Sequence, residues 1–390
     1  MVKILKSLLQ ELPGVLEITF VISRSPVRRF IQAFVTITNV VMSIANAVSL
    51  YFLGLERSLG GTASFAAYGI IICIKHAIYY FRENEIKQLL GFFAEIEKRH
   101  KKGWEKEMFE KISKDAWNVV YKYWMIILPY EILYINVLTL LDFVIGYVIP
   151  NFPSIRVDVP CEGFIEFFEP RTLKRFIITV PILIWTMASM TVHLGSETLV
   201  FISIIYTKIE LRIIRKKLEM IKNYLEKKED DYKIKSEKML WKVIAQHQRT
   251  IEVLNNMKGI LGLPVAIHNT AISVTLCVIF YCLMTFDERG SLSIKFHGIT
   301  LIMCCGSLVL GLCYFGESME EENNEVICSI YDLPWYSEGK NFRRTVAIML
   351  MQAQKPFVIK YRGLATLNLK TFMQIMNASY SYLMMLKSTV

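Results

Sequence analysis

Seven stretches of the chain are apolar over about the length that a helix needs to cross a bilayer. They are Phe30–Leu53, Thr62–Phe81, Val119–Ile149, Thr172–Tyr206, Pro264–Phe286, Phe296–Gly316 and Asn368–Leu386. Since roughly 20 predominantly apolar residues span the hydrocarbon layer, each stretch predicts a transmembrane helix. The third and fourth stretches exceed this length, and we expect their excess to project into the cytosol as helix. The pattern therefore predicts an all-α polytopic membrane protein with seven transmembrane helices.

Lysine and arginine are distributed unevenly between the loops, and this asymmetry predicts the orientation. Nine lie in segment 82–118 and fourteen in segment 207–258, whereas segment 150–170 contains only Arg156 beside four acidic residues. Because cytoplasmic loops collect Lys and Arg, we expect both basic segments and the N-terminus inside, and the C-terminus outside. Seven-helix receptors that couple to G proteins have the opposite orientation, so that class is disfavoured.

Two cytosolic segments have an amphipathic helical pattern. The first continues the fourth span, reaches an acidic turn at Glu229–Asp231 and leads into the fifth span; its apolar stripe is Ile213, Leu218, Ile221 and Leu225. The second precedes the last span, with the stripe Phe342, Val346, Met349, Leu350 and Ala353. These apolar stripes must be buried, either within the subunit or against neighbouring subunits, and the sequence leaves both possibilities open.

The spans and loops together predict six successive regions. They are a cytosolic N-terminal segment (1–29), transmembrane helices 1–4 (30–206), cytosolic amphipathic helices (207–263), transmembrane helices 5–6 (264–316), a cytosolic loop with an amphipathic anchor helix (317–367) and transmembrane helix 7 (368–390). The last two cytosolic regions would form a helical anchor layer.

Motifs for catalysis or cofactor binding are not found in the sequence. It has no phosphate-cradling glycine loop, no cysteine pairs at zinc spacing and no HExxH helix. His193 and Glu197 are four residues apart and share a helix face, but two ligands are weak evidence for a metal. We expect no enzyme activity, cofactor, metal or nucleic-acid partner. The charges within predicted spans that need explanation are Lys75, His76, Glu131 and Asp142; for Lys75 and His76, pairing between helices or snorkelling is favoured.

Apolar and aromatic side chains recur on single faces in the outer halves of the spans. They are Tyr68, Ile72, Tyr134, Leu138, Leu141, Ile182, Trp185, Phe280, Leu283, Thr300 and Met303. Ordinary packing between helices accounts for this pattern. That account is favoured, and the alternative is a small apolar pocket with few polar anchors, which would hold a ligand.

The last predicted helix carries a thin polar stripe. Gln374, Ser381 and Ser388 recur at intervals of seven, and Asn377 and Met385 fall on the same stripe. Lipid offers no hydrogen bonds, so the stripe must face protein or water. Polar contact between packed helices is favoured on spacing alone, and the lining of an ion pathway is the alternative.

The C-terminal region resembles the insect odorant receptors. The resemblance rests on ordered elements: Tyr331-Asp-Leu-Pro-Trp-Tyr336, Phe342-Arg-Arg344, Met349-Leu-Met-Gln-Ala-Gln-Lys-Pro356, Gly363-Leu364 and Ser379-Tyr-Ser-Tyr-Leu-Met-Met-Leu386. Chain length, seven spans and the basic segment after the second span extend it more weakly. Gustatory receptors share this architecture but usually end differently. The co-receptor of the family has an insertion before the fifth span that this chain lacks, so the chain looks like a ligand-tuned subunit.

This resemblance implies a ligand-gated, non-selective cation channel of four subunits. Tuning subunits would assemble with the odorant co-receptor in the plasma membrane of an olfactory neuron dendrite and bind a small volatile hydrophobic ligand. The last helix would line the pore, with Met385 at the position of a hydrophobic gate. Lys387 departs from the apolar or amide character usual there and would oppose cations. The alternatives are a gustatory-type channel acting without the co-receptor and, more remotely, a transporter or enzyme for lipophilic compounds.

Overall fold

The structure is a computed structural model that describes residues 26–53, 62–100, 102–131, 138–149, 161–165, 167–169, 172–228, 230–285, 292–361 and 365–389. Its helices are α1 (Pro26–Leu53), α2 (Thr62–Phe81), α3 (Glu83–Arg99), α4 (Gly103–Glu131), α5 (Leu138–Val148), α6 (Glu162–Ile165), α7 (Leu173–Lys227), α8 (Tyr232–Thr285), α9 (Leu292–Tyr331), α10 (Lys340–Ala353) and α11 (Leu369–Thr389). A 3-10 helix covers Trp335–Ser337, and strands β1 (Lys360–Tyr361) and β2 (Ala365–Thr366) form a short antiparallel pair. The predicted all-α class is confirmed.

Four helices in the described part of the chain are long and apolar enough to cross a membrane. They cover Arg29–Ser49, Leu173–Lys227, Tyr232–Tyr281 and Gly298–Ser337, and a shorter apolar helix covers Gly69–Phe81. Helix α7 has 55 residues, which at 1.5 Å per residue is about 80 Å, far more than the hydrocarbon thickness. The predicted helical extension of the fourth span is therefore present.

The third apolar stretch, Val119–Ile149, is described as two helices. Helix α4 ends at Glu131 and α5 begins at Leu138, and residues 132–137 lie outside the described ranges. Glu131 and Asp142 are eleven residues apart and would share a helix face only on an unbroken helix through these residues, so a common face stays a prediction.

Helices α7 and α8 form the centre of the bundle. Helices α2, α4 and α9 pack on α7, α11 packs on α8 and α9, and α1 packs on α2, α6 and α7. The turn between α7 and α8 lies at the predicted acidic segment, where Lys228 adopts a left-handed conformation and donates its N–H to the Tyr224 carbonyl (3.2 Å). This closes α7 with an ordinary left-handed cap.

The largest core lies at the end of the bundle formed by α3, α10 and the extensions of α7, α8 and α9. Both amphipathic stripes enter this core: Ile213, Leu218, Ile221 and Leu225 on α7, and Phe342, Val346, Met349 and Ala353 on α10. The choice that the sequence left open is thereby decided, because the subunit itself covers these stripes.

The start of α11 is attached to α9. The Glu317 carboxylate accepts a hydrogen bond from the Leu369 backbone N–H (3.1 Å), and Asn368 caps the helix through the Thr371 N–H (2.9 Å). A Cβ atom on Gly316 would overlap the carbonyl oxygen of Leu367. Only glycine at this position lets α9 approach the segment that leads into α11.

Candidate functional site

Two of the residues predicted to surround a ligand pack in two separate buried clusters. Ile182 packs with Cys161 and Ile165 beside α1, and Ile72 is also buried. Phe280 packs in a second cluster with Ile272, Val309 and Ile375, between α8, α9 and α11.

The other predicted pocket residues whose side chains the structure describes differ in exposure. Thr300 is half-buried, whereas Leu141 and Met303 are 41% and 66% exposed on the single chain. Tyr134 lies outside the described residues, as do the side chains of Tyr68, Leu138 and Leu283.

Helix α1 buries a stripe of uncharged polar side chains in the interior of the bundle. Its outward face is apolar, with Phe30 73% exposed and Ile37 and Ile44 similarly open. Its buried face carries Gln32, Asn39, Ser43, Asn46 and Ser49, which follow one another at intervals of three, four or seven residues. Sequence reasoning missed this stripe, although its spacing was visible, because the helix is apolar on average. In a membrane such side chains must face protein or water, as they do here.

The two asparagines of this stripe use their oxygens to accept hydrogen bonds. Asn39 Oδ1 accepts from Trp185 Nε1 (2.7 Å) and from Ser189 Oγ (2.6 Å) on α7. Asn46 Oδ1 accepts from the Cys161 backbone N–H (2.7 Å). The indole and backbone N–H groups can only donate, so they fix both amide orientations. Trp185, predicted as a pocket wall, is thereby held against α1.

A buried ionic cluster joins α2, α7 and α8. The Lys75 ammonium pairs with the Glu197 carboxylate and lies 3.2 Å from His268 Nδ1. The Nδ1 atoms of His193 and His268 are each 3.8 Å from Glu197 Oε1, and the two rings stack with centroids 5.5 Å apart. The structure thus provides the pairing between helices that was favoured for Lys75. His76 lies 3.4 Å from Thr36 Oγ1 on α1.

The same cluster has the donor atoms of a metal site. Ligand atoms of His193, Glu197 and His268 lie within 4.8 Å of one another. However, the Lys75 ammonium already contacts two of these residues. A divalent cation would have to displace a like charge from a buried position, where charge repulsion is strong. The arrangement therefore favours an ion-pair cluster that joins three helices.

A second polar network joins α3, α4 and α7 at the other end of the bundle. His100 Nδ1 lies 2.7 Å from the Glu105 carboxylate, and Nε2 lies 2.6 Å from that of Glu210. Lys217 pairs with Glu105 (2.9 Å). Burial opposes protonation of His100, but the hydrogen bonds to both carboxylates outweigh it and raise its pKa. The hydrogen bond from His100 and the contact with Lys217 lower the pKa of Glu105 to about 2, against the opposing effect of burial.

These shifts give the network a defined pH dependence. The pKa of His100 is raised in the folded chain. Its contribution to folding stability is therefore complete below pH 6.5 and is lost as pH rises through the raised pKa. The pKa of Glu105 is lowered, so its contribution is present above pH 4.5 and is lost as pH falls through about 2. Both contributions to stability are therefore complete between pH 4.5 and pH 6.5, the ordinary pKa values of the two groups.

The polar stripe of α11 lies on the surface of the single chain. Gln374, Asn377 and Ser381 are exposed, and Met385 is 58% exposed. The Ser388 side chain is outside the described residues. The opposite face is buried on α8 and α9, where Ser379 donates to the Ser273 carbonyl oxygen (3.1 Å). Packing within the subunit therefore does not explain the stripe.

Comparison with known proteins gives consistent matches. A model of the 7tm odorant receptor family matches residues 58–380. Odorant receptor 85f of Drosophila melanogaster is 22% identical over 156 residues, covering 39% of this chain and 38% of that protein. Odorant receptor 10 of Aedes albopictus is 18% identical over 241 residues, covering 62% of each. The matched segment spans less than two thirds of either relative.

Solved structures resemble the whole chain. The insect olfactory receptor OR5 from Machilis hrabei in complex with eugenol has a TM-score of 0.80 at 12% identity, over 100% of both chains. The same receptor without that ligand has a TM-score of 0.77 at 14% identity, over 99% of this chain and 98% of the other. At such low identity this likeness shows a shared fold.

Proposed function

This chain belongs to the insect odorant receptor family, and from that premise we propose that it is the odorant-tuned subunit of a ligand-gated, non-selective cation channel. It would assemble with the odorant co-receptor, most simply as a tetramer. The observation that carries this proposal is the exposed polar stripe on α11. Lipid cannot satisfy Gln374, Asn377 and Ser381, and the subunit buries the opposite face of the helix. A water-filled pathway between subunits would satisfy them.

The gate of this pathway would be a ring that includes Met385. Apolar side chains can close a narrow pore by excluding water, and opening then requires them to turn aside. Met385 lies on the same exposed stripe as the polar residues. The neighbouring Lys387 would place a positive charge near the mouth and lower cation flux through this subunit's side of the pore.

The proposed orientation places the N-terminus inside and the C-terminus outside, in the plasma membrane of an olfactory neuron. Its support is the concentration of Lys and Arg in segments 82–118 and 207–258. The same orientation puts α3, α10 and the extensions of α7 and α8 in the cytosol as an anchor layer.

The ligand would be a small volatile compound bound in the outer half of the bundle. Buried Ile72 and Ile182, with Trp185 held on α1, supply apolar and aromatic surface there. The complex of OR5 with eugenol supports a small-molecule site in a protein of this fold. Transfer of apolar ligand surface from water contributes roughly 25 cal/mol per Å².

The test is a panel of volatiles applied to cells that express this chain with or without the co-receptor. We expect an odorant-evoked inward current only when both chains are present, with co-receptor alone as the control. A current from this chain alone would favour the gustatory-type alternative. Turnover or uptake of lipophilic compounds without current would contradict the channel assignment.

A further inference from the structure

We propose that the buried face of α1 holds a hydrogen-bonding subsite that selects odorants with an acceptor oxygen, such as ketones, esters and aldehydes. The subsite consists of Asn39, Ser43 and Asn46, beside Trp185. This inference rests on the proposed odorant receptor function and adds the chemical class of the ligand to it.

The spare hydrogen-bonding groups of this face are biased towards donors. Asn39 Nδ2, Asn46 Nδ2 and Ser43 Oγ are buried and have no hydrogen-bond partner within the described part of the chain. The oxygens of both amides are already occupied by groups that donate. The two amide N–H₂ groups can therefore only donate hydrogen bonds, and the hydroxyl can rotate so that it donates as well. A carbonyl or ether oxygen complements such a set, whereas a hydrocarbon leaves all three unsatisfied.

The positions of the donors are compatible with one small molecule. Asn39, Ser43 and Asn46 share a helix face at intervals of four and three residues, so they rise about 6 Å and about 4.5 Å along α1. Ser43 lies between the two amides and faces α2, since a Cβ on Gly69 would be 3.2 Å from Ser43 Oγ and 3.9 Å from the Trp185 ring. In the proposed subsite, one ligand oxygen would be shared by Ser43 and a neighbouring amide, and the apolar body of the ligand would contact Trp185.

The chemistry of the surroundings favours this face over the buried Lys75–Glu197 cluster. Around Lys75 and Glu197 the opposite charges are already paired, so a neutral ligand would gain little there. Sites built to hydrogen-bond a ligand discriminate strongly against analogues that lack the bonding group, because buried donors are then left unpaired. The α1 face has this property.

Ser43→Ala is the sharpest test, because it removes a donor without breaking any hydrogen bond of the described residues. The probes are ketones and methyl esters, each matched with the hydrocarbon of the same length, applied to cells that express the chain with the co-receptor. We expect the half-maximal concentration for carbonyl compounds to rise about tenfold and that for hydrocarbons to stay unchanged. Ile44→Ala, on the outward face of the same helix, is the matched control and should alter neither response.

The outcomes separate the inference from its premise. An equal shift for both ligand classes would mean that Ser43 acts through packing, and no shift for either would mean that water satisfies the donors; each result overturns the subsite. Absence of any volatile-evoked current from the unsubstituted pair would instead count against the receptor function. Ketone-dependent thermal stabilisation of the purified chain, compared with Ser43→Ala, then decides whether the subsite exists.

Discussion

Replacing Lys75 with methionine should destabilise the folded chain by about 3–5 kcal/mol, the usual cost of leaving one partner of a buried ion pair uncompensated. Both partners are almost fully buried, Lys75 at 3% and Glu197 at 1% exposure. The neighbouring His193 and His268 are 3.8 Å from the carboxylate, so they only partly replace the ammonium. Glu197→Gln should be comparably harmful, because it leaves the ammonium buried.

The double variant Lys75→Met with Glu197→Gln should recover most of the lost stability. Removing both charges of a buried pair is often neutral, since their desolvation cost disappears with their attraction. The rescue is therefore the signature that distinguishes an ion pair from two independent packing positions.

The assay is thermal unfolding of the detergent-solubilised chain, expressed with the co-receptor and followed by size-exclusion chromatography. A loss of 3 kcal/mol corresponds to more than a hundredfold change in the folding equilibrium constant. Lys106→Met is the matched control, because its pair with Glu110 is half-exposed (3.9 Å) and such pairs contribute about 0–1 kcal/mol. A buried ion pair is refuted if Lys75→Met is no more destabilising than Lys106→Met, or if the double variant loses as much stability as the two single variants combined.

Three further predictions address the pore, the pH dependence and the packing of α11. Met385→Ser should raise the current without odorant, because a more polar ring wets readily; unchanged basal current and selectivity in a normally assembled channel would remove α11 from the pore. Raising the pH through the raised pKa of His100 should lower the melting temperature of the solubilised chain, and His100→Gln should abolish this dependence; a pH profile that is the same in both proteins would refute it. Gly316→Ala should reduce surface expression, since its Cβ overlaps the Leu367 carbonyl, whereas Gly306→Ala, with open space around its Cβ, should not.

The helical architecture could be predicted from the sequence because its signals are local. Apolar runs of membrane length and amphipathic stripes repeat within single helices. The acidic segment Glu229–Asp231 marked the turn at which α7 ends, at Lys227, and α8 begins, at Tyr232. Each of these inferences needs only neighbours a few residues away.

The polar interior could not be predicted in the same way, because its partners are distant in the sequence. Lys75 and Glu197 are separated by 122 positions, and His268 belongs to a third helix. Sequence spacing identified His193 and Glu197 only as two potential metal ligands. The Lys75 ammonium, which makes Glu197 part of an ion pair, lies on α2. Only the tertiary structure brings it close to Glu197.

Helix α7 links the proposed ligand subsite with the Lys75–Glu197 cluster and with the His100 network. Trp185, which is held by Asn39, lies twelve residues before Glu197, which is about 18 Å along the helix, and Glu210 follows after about 20 Å more. All three lie on one described helix with unbroken α-helical assignment. A ligand that shifts Trp185 against α1 would therefore push on a helix whose later part is held by ion pairs to Lys75 of α2 and Glu105 of α4, and by a hydrogen bond from Gln246 of α8 to Glu210. Rigid elements with two packed arrangements can carry coupling between distant sites, and α7 is a continuous helix that would reach from the proposed ligand subsite to the proposed anchor layer.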